Sequence, residues 1–165
     1  MSIRQSVVRQ VIVFTVDERR YALNIEAVQR IHRIVDITPL PGVPDIVLGV
    51  INVHGQIVPV MNLRKRFGLF ERDLRITDHL IIANTATQTV GLVADEVSGL
   101  LEVTESEIVK AGQIFAGMDY VEGVLKLPDE IVLIHDLDTF LSLEEERALK
   151  EVIREAGQAS GLLDR

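Results

Sequence analysis

Apolar residues in this chain come in short blocks, alternating or continuous, with polar turn residues between them. Val8–Val16 (VRQVIVFTV) predicts a strand, Asp17–Arg20 a polar turn, and Tyr21–Ile25 the returning strand. Val47–Val53 and Gln56–Met61 flank His54-Gly55, which predicts a tight hairpin with Gly supplying a positive φ. Further strands are predicted at Leu80–Asn84, Val90–Ala94, Val121–Leu127 and Ile131–Ile134, the last two joined by a turn at Pro128-Asp129. Helices are few. Leu63–Phe67 predicts a short one stopped at Gly68, with Leu137–Leu141 as its counterpart. Leu143–Ala156 predicts the longest, opened by a Ser142/Glu145 capping box, with Ala148, Leu149, Val152, Ile153 and Ala156 on one face. Gly157 is expected to end it, leaving 157–165 as a flexible tail.

The strand pattern occurs twice. Val11–Val28 lies over Leu80–Val97 at an offset of 69, with apolar positions coinciding at 11–13 with 80–82, Tyr21 with Val90, Leu23 with Leu92 and Val28 with Val97. Gly49–Leu63 (GVINVHGQIVPVMNL) lies over Gly123–Leu137 (GVLKLPDEIVLIHDL) at an offset of 74. Two matches in the same order imply a duplicated β unit, with an insertion between the blocks of the second copy. Short strands at near-regular spacing imply a mainly β fold of two small, five-stranded, SH3-like barrels sharing a core, with a C-terminal helix. The expected division of the single 1–165 domain is 8–70 plus C-terminal elements for the first barrel, 78–141 for the second, and 143–156 for the helix.

Composition narrows the functional classes. A chain of 165 residues with 47% hydrophobic content buries a core, and with 4% aromatics and no Trp that core is built of Val, Ile and Leu. The absence of cysteine excludes disulfides, thiolate metal sites and thiol catalysis. Met1–Gln10 has no continuous apolar region of the secretion-signal type, and no apolar run approaches the length of a membrane span, so a cytoplasmic protein is expected. The net charge of −8 is split: residues 1–70 carry +4 and residues 71–165 carry −12. An acidic balance argues against nucleic acid as a partner.

No residue set points to catalysis, a metal or a cofactor. The histidines, His32, His54, His79 and His135, lack zinc-binding spacing. His135-Asp136-x-Asp138 is better read as a strand end entering a helix, with an Asp as N-cap, than as a cation site. Asp95 and Glu96 are adjacent on a strand and point to opposite sides. Arg64-Lys65-Arg66 reads as a solvated face or as a cradle for an acidic partner.

The motifs Phe14-x6-Tyr21-Ala22-Leu23, Ile25-x2-Val28-x2-Ile31, Thr38-x-Leu40-Pro41, Gly49-Val50-Ile51-Asn52-x2-Gly55-x-Ile57-x-Pro59-Val60-x2-Leu63-Arg64 and Val90-Gly91-Leu92-x2-Asp95-x-Val97 together resemble the CheW-like domain of chemotaxis coupling proteins. The resemblance runs from about Val8 to Leu141. It implies two packed β-barrels and a non-enzymatic adaptor without cofactor. It also implies two partners: the cytoplasmic tip of a chemoreceptor and the regulatory domain of the histidine kinase CheA. Candidate receptor-binding residues are Val28, Arg30, Ile31, Gly49, Asn52, His54 and Gly55, with the apolar ones expected to line a groove for a helical tip. Kinase contact is expected at the end of the second barrel, without assigned residues. The family commonly has Glu where this chain has Arg30 and Arg where it has His54, so these two are expected to sit together as an altered charge pair. The competing readings are a ligand- or metal-dependent enzyme on duplicated barrels, and an array component that does not engage the kinase.

Overall fold

The continuous apolar runs form strands buried on both faces. In β1 (Val8–Val16), Val11 and Val13 face one core and Phe14 and Val16 another. In β6 (His79–Asn84), Leu80 and Ile82 face one core while Ile81 and Ala83 face another. Successive side chains of a strand point to opposite sides, so an unbroken apolar run requires packing on both. The computed structural model describes residues 8–110 and 120–163. Its other strands are β2 (Arg19–Asn24), β3 (Val28–Arg33), β4 (Val47–Val53), β5 (Gln56–Met61), β7 (Thr89–Ala94), β8 (Glu96–Thr104), β9 (Ile108–Lys110), β10 (Val121–Lys126) and β11 (Ile131–His135). The helices are α1 (Leu63–Arg66) and α2 (Leu143–Leu163), with 3-10 turns at Ile25–Ala27, Glu105–Glu107 and Leu137–Thr139.

These strands make two sheets, ordered β8-β1-β2-β11-β10-β9 and β3-β6-β7-β5-β4. The fold is therefore mainly β, two sheets with a C-terminal helix. The sheets do not divide the chain near residues 70–78, as the expected barrel boundaries required. The leading hairpin of each repeat is exchanged: β1-β2 joins the strands of the second repeat, and β6-β7 joins those of the first. The reason is the turn after each hairpin, which carries the chain onto the other repeat's leading strand. Thus β3 pairs with β6 and β8 with β1.

Strand by strand, the duplication holds. The parallel pairings Ile134↔Ala22 and Val60↔Gly91 occupy equivalent positions at the two sequence offsets. A one-residue bulge falls between Val28 and Arg30 on β3, and its counterpart on β8 skips Ser98, between Val97 and Gly99. A second pair of bulges precedes Gly49 and Gly123. A Cβ on Gly49 would run into the Thr38 carbonyl, and one on Gly123 would meet Ile108 Cγ2 at 2.6 Å. Glycine at each site therefore lets a neighbouring segment pair closely with β4 or β10.

Each sheet encloses its own apolar cluster, and a third, larger cluster fills the seam between them. Five of the seven Phe and Tyr residues gather at this seam: Phe14, Tyr21, Phe67, Tyr120 and Phe140. His135 stacks on Phe67 with ring centroids 4.5 Å apart. Leu149 of α2 is fully buried on the seam cluster. The capping box forms as expected: Ser142 Oγ accepts from Glu145 N–H and Glu145 Oε1 accepts from Ser142 N–H. The helix does not stop at Gly157. Its backbone continues to Leu163, so the expected tail is largely helical, and residues 164–165 lie outside the described residues.

Candidate functional site

The β4–β5 hairpin turns through His54 and Gly55, at φ 50° and 85°, with Val53 paired to Gln56. Both turn residues have positive φ, the geometry that matches strand twist in a two-residue hairpin. A non-glycine residue there costs roughly 1–2 kcal/mol. Two contacts oppose that cost. Asn52 Oδ1 accepts from Gly55 N–H at 2.7 Å, and Arg30 Nη1 lies 2.7 Å from His54 Nε2. A guanidinium only donates, so Nε2 is the acceptor and the imidazole in this contact is neutral. Since β3 and β4 are the opposite edges of one sheet, the Arg30–His54 bond ties those edges together. The Thr38–Val50 bridge does the same further along.

The seven sequence-predicted residues separate into two groups. Arg30, Asn52, His54 and Gly55 are exposed and form one surface around the hairpin tip. Val28 and Ile31 are half-buried and pack on the seam cluster, and Gly49 is buried against Thr38. Immediately after β3, residues Ile34–Ile37 form a shallow groove with Leu74–Ile76, where Val35 is 44% and Ile76 88% exposed. Arg33 is exposed on the same strand as Arg30. No carboxylate lies within ion-pair distance of Arg30, Arg33 or His54 among the described residues. Sequence reasoning did not single out Arg33, Val35 or Ile76. The pattern that carries them is an edge strand rich in Arg and His running straight into exposed Val.

The other candidates resolve as structure. Asp136 Oδ1 accepts from Asp138 N–H, capping the 3-10 turn, and Asn62 Oδ1 accepts from Lys65 N–H at the equivalent place in the first repeat. Asp138 Oδ1 takes the Ala86 N–H. Each of these oxygens is thus occupied by a backbone donor. His135 donates from Nδ1 to the Tyr120 carbonyl at 3.1 Å, and burial drives its pKa down to about 4 against the opposing effect of that hydrogen bond. The basic run is mostly internal: Arg64 Nη2 donates to both carboxylate oxygens of Asp95, and Arg66 pairs with Glu145 at 2.6 Å, leaving Lys65 outermost. Arg72 reaches inward to both Asp95 and Asp78. Burial pushes the Asp78 carboxyl up, but the Arg72 side chain and the Arg75 N–H together hold it below the usual range. Asp95 is thus committed to an ion network, while Glu96 is exposed. Among the described residues no three metal-ligating side chains converge, and no helix is long and apolar enough to cross a membrane.

The family model of the CheW-like domain matches residues 10–151. The chain belongs to the CheW-like domain family. Its CheW relatives include the chemotaxis protein CheW of Rhizobium meliloti strain 1021, 30% identical over 142 residues that cover 85% of this chain and 92% of that protein. The chemotaxis protein CheW of Bacillus subtilis strain 168 is 31% identical over 141 residues, covering 84% of this chain and 90% of the relative. Among solved structures, the scaffolding protein TtCheW from Thermoanaerobacter tengcongensis aligns with a TM-score of 0.77 at 29% identity, over 84% of this chain and 96% of that one. Members of the CheW family are scaffolds rather than enzymes.

Proposed function

We propose that this CheW-like chain is a non-enzymatic adaptor that couples chemoreceptors to the histidine kinase CheA. The observation that carries the reading is the match to CheW scaffolds over nearly the whole chain. Within that reading, Arg30, Asn52, His54 and Gly55 contact the receptor tip, and the Val35–Leu74–Ile76 groove offers it an apolar shelf. Val28, Ile31 and Gly49 support this surface from beneath. Kinase contact falls to the sheet of β8–β11, whose edge strand β8 carries Glu96 and Glu102. Closure of each sheet into a small barrel is part of this reading, supported by β8 and β9 being consecutive around the Glu105–Glu107 turn yet at the two edges of one sheet, and by the bridge from Thr38, downstream of β3, to Val50 of β4. The protein works in the cytoplasm, where receptor tips and kinase meet.

Pull-down of purified receptor-tip and CheA regulatory fragments tests the adaptor reading. Retention of both by one chain is expected. Retention of the receptor alone favours an array component without kinase coupling, and retention of neither overturns the proposal. The double substitution Arg30→Glu with His54→Arg restores the pair common in the family. It should weaken binding to the chain's own receptor, and unchanged affinity would remove these two residues from the interface.

A further inference from the structure

We infer that Arg30 and His54 form a carboxylate-binding site whose occupation is coupled to proton uptake by His54, so that this adaptor holds its receptor more tightly as pH falls. The inference rests on the adaptor reading above and specifies the chemistry of the partner. Three observations support it. The first is the state of the pair without a partner. His54 Nε2 accepts from Arg30, which requires a lone pair on Nε2 and a neutral ring. The second is its isolation from acids. The chain carries 25 Asp and Glu residues, yet among the described residues none pairs with Arg30, Arg33 or His54. The third is exposure, since both side chains lie open to solvent at the hairpin tip.

The groups around His54 are few. Arg30 on β3 is the charged group hydrogen-bonded to it, and its own hairpin supplies Asn52, Val53, Gly55 and Gln56, none of which ionises. On the same edge strand stand His32, whose Nδ1 lies 3.0 Å from the Arg33 carbonyl, and Arg33 itself. A carboxylate arriving at this place meets two potential donors of which one, Nε2, lacks a hydrogen. Uptake of one proton from solvent by Nε2 turns the acceptor into a donor. The carboxylate then bridges Arg30 Nη1 and the imidazolium Nε2–H in charge-assisted bonds. Without that anion, two cations would face each other across the former hydrogen bond. The carboxylate therefore favours the proton, and by linkage the proton favours the carboxylate, by at most about tenfold in affinity per pH unit for one proton. A partner presenting Lys or Arg at the same place is repelled.

The probe is the cytoplasmic tip fragment of a chemoreceptor from the same organism, titrated calorimetrically at several pH values between 8 and 6, each in two buffers of different ionisation enthalpy. Wild type is expected to bind more tightly toward pH 6 and to show net proton uptake. His54→Asn keeps a residue that tolerates positive φ and should bind without uptake and with a flatter pH dependence. Replacing the acidic residues of the fragment one at a time by amides should identify one whose loss also abolishes uptake. Wild-type binding with no uptake, or uptake that persists in His54→Asn, overturns the inference and leaves the adaptor reading standing. Failure of the wild type to bind either the receptor fragment or the kinase fragment overturns the adaptor reading and this inference with it. Matching melting curves for the two proteins exclude unfolding as the cause of a difference.

Discussion

Acid should destabilise this protein well before its carboxylates titrate, through one core histidine. His135 is 3% exposed, stacked on Phe67 and near Tyr21, Tyr120 and Phe140, and its Nε2 has no hydrogen-bond partner among the described residues. Its pKa is about 4 in the fold, driven down by burial, against about 6.5 in the unfolded chain. The unfolded state thus binds the proton more readily. The neutral ring's contribution is fully present above pH 6.5 and is lost as pH falls toward 4, with a limiting slope of about 1.4 kcal/mol per pH unit. Between pH 7 and pH 5 the loss amounts to about 2 kcal/mol, rising to about 3 kcal/mol below pH 4. The carboxyls of Asp78 and Glu145 are held below their usual range, so their own losses begin only at lower pH, as their unfolded forms protonate. Urea denaturation at half-unit steps from pH 8 to 5 measures the slope. His135→Asn is the reference, because its amide can still donate to the Tyr120 carbonyl but does not titrate in this range. The variant should be less stable at pH 8 through lost stacking, with a flatter pH dependence. Parallel curves for the two proteins would refute the reasoning.

Other consequences can be checked by denaturation or melting. Gly49→Ala should cost about 2–3 kcal/mol, because the added methyl displaces the Thr38 backbone from β4, and Gly123→Ala should act likewise through Ile108. Gly55→Ala meets no atom of the described residues within 4 Å and should cost only about 1 kcal/mol, from its positive φ. Asp78→Asn should cost about 2–4 kcal/mol by weakening the hold on Arg72. A thermal midpoint unchanged by Asp78→Asn would show that the Arg72 network is energetically silent.

The sequence made the strands with strong apolar alternation legible, since Val8–Val16, Val47–Val53 and Gln56–Met61 fall where the pattern places them. It did not reveal β3, β8 or β9. In β3 (VQRIHR) Arg and His interrupt the period, and the bulge after Val28 shifts the register, so no alternation survives to be read. In β8 the alternation is present, but a Ser-Gly pair at the bulge breaks it. The repeat was visible, whereas the exchange of hairpins between repeats was not, because pairing partners far apart in sequence leave no local trace. The same holds at the candidate site. Family-like spacing located Arg30 and His54, and the structure sets them in contact. Val28 and Ile31 are half-buried on the seam cluster, and half-buried apolar positions read alike in a sequence whether they line a groove or face a core.

The hairpin exchange makes the two halves of this chain mutually dependent. A cut within residues 70–76 would leave one fragment with β1-β2 from one sheet and β3, β4 and β5 from the other, and a second fragment with the complement of each. Neither piece could satisfy its strand edges alone, and both together could. Co-expressed fragments should therefore reassemble into a soluble complex while each alone aggregates, which makes the chain a candidate split reporter. Two intact molecules have the same option. Trading halves through the 67–78 connection would give an intertwined pair with every native ladder preserved, and shortening that connection is the change expected to favour it.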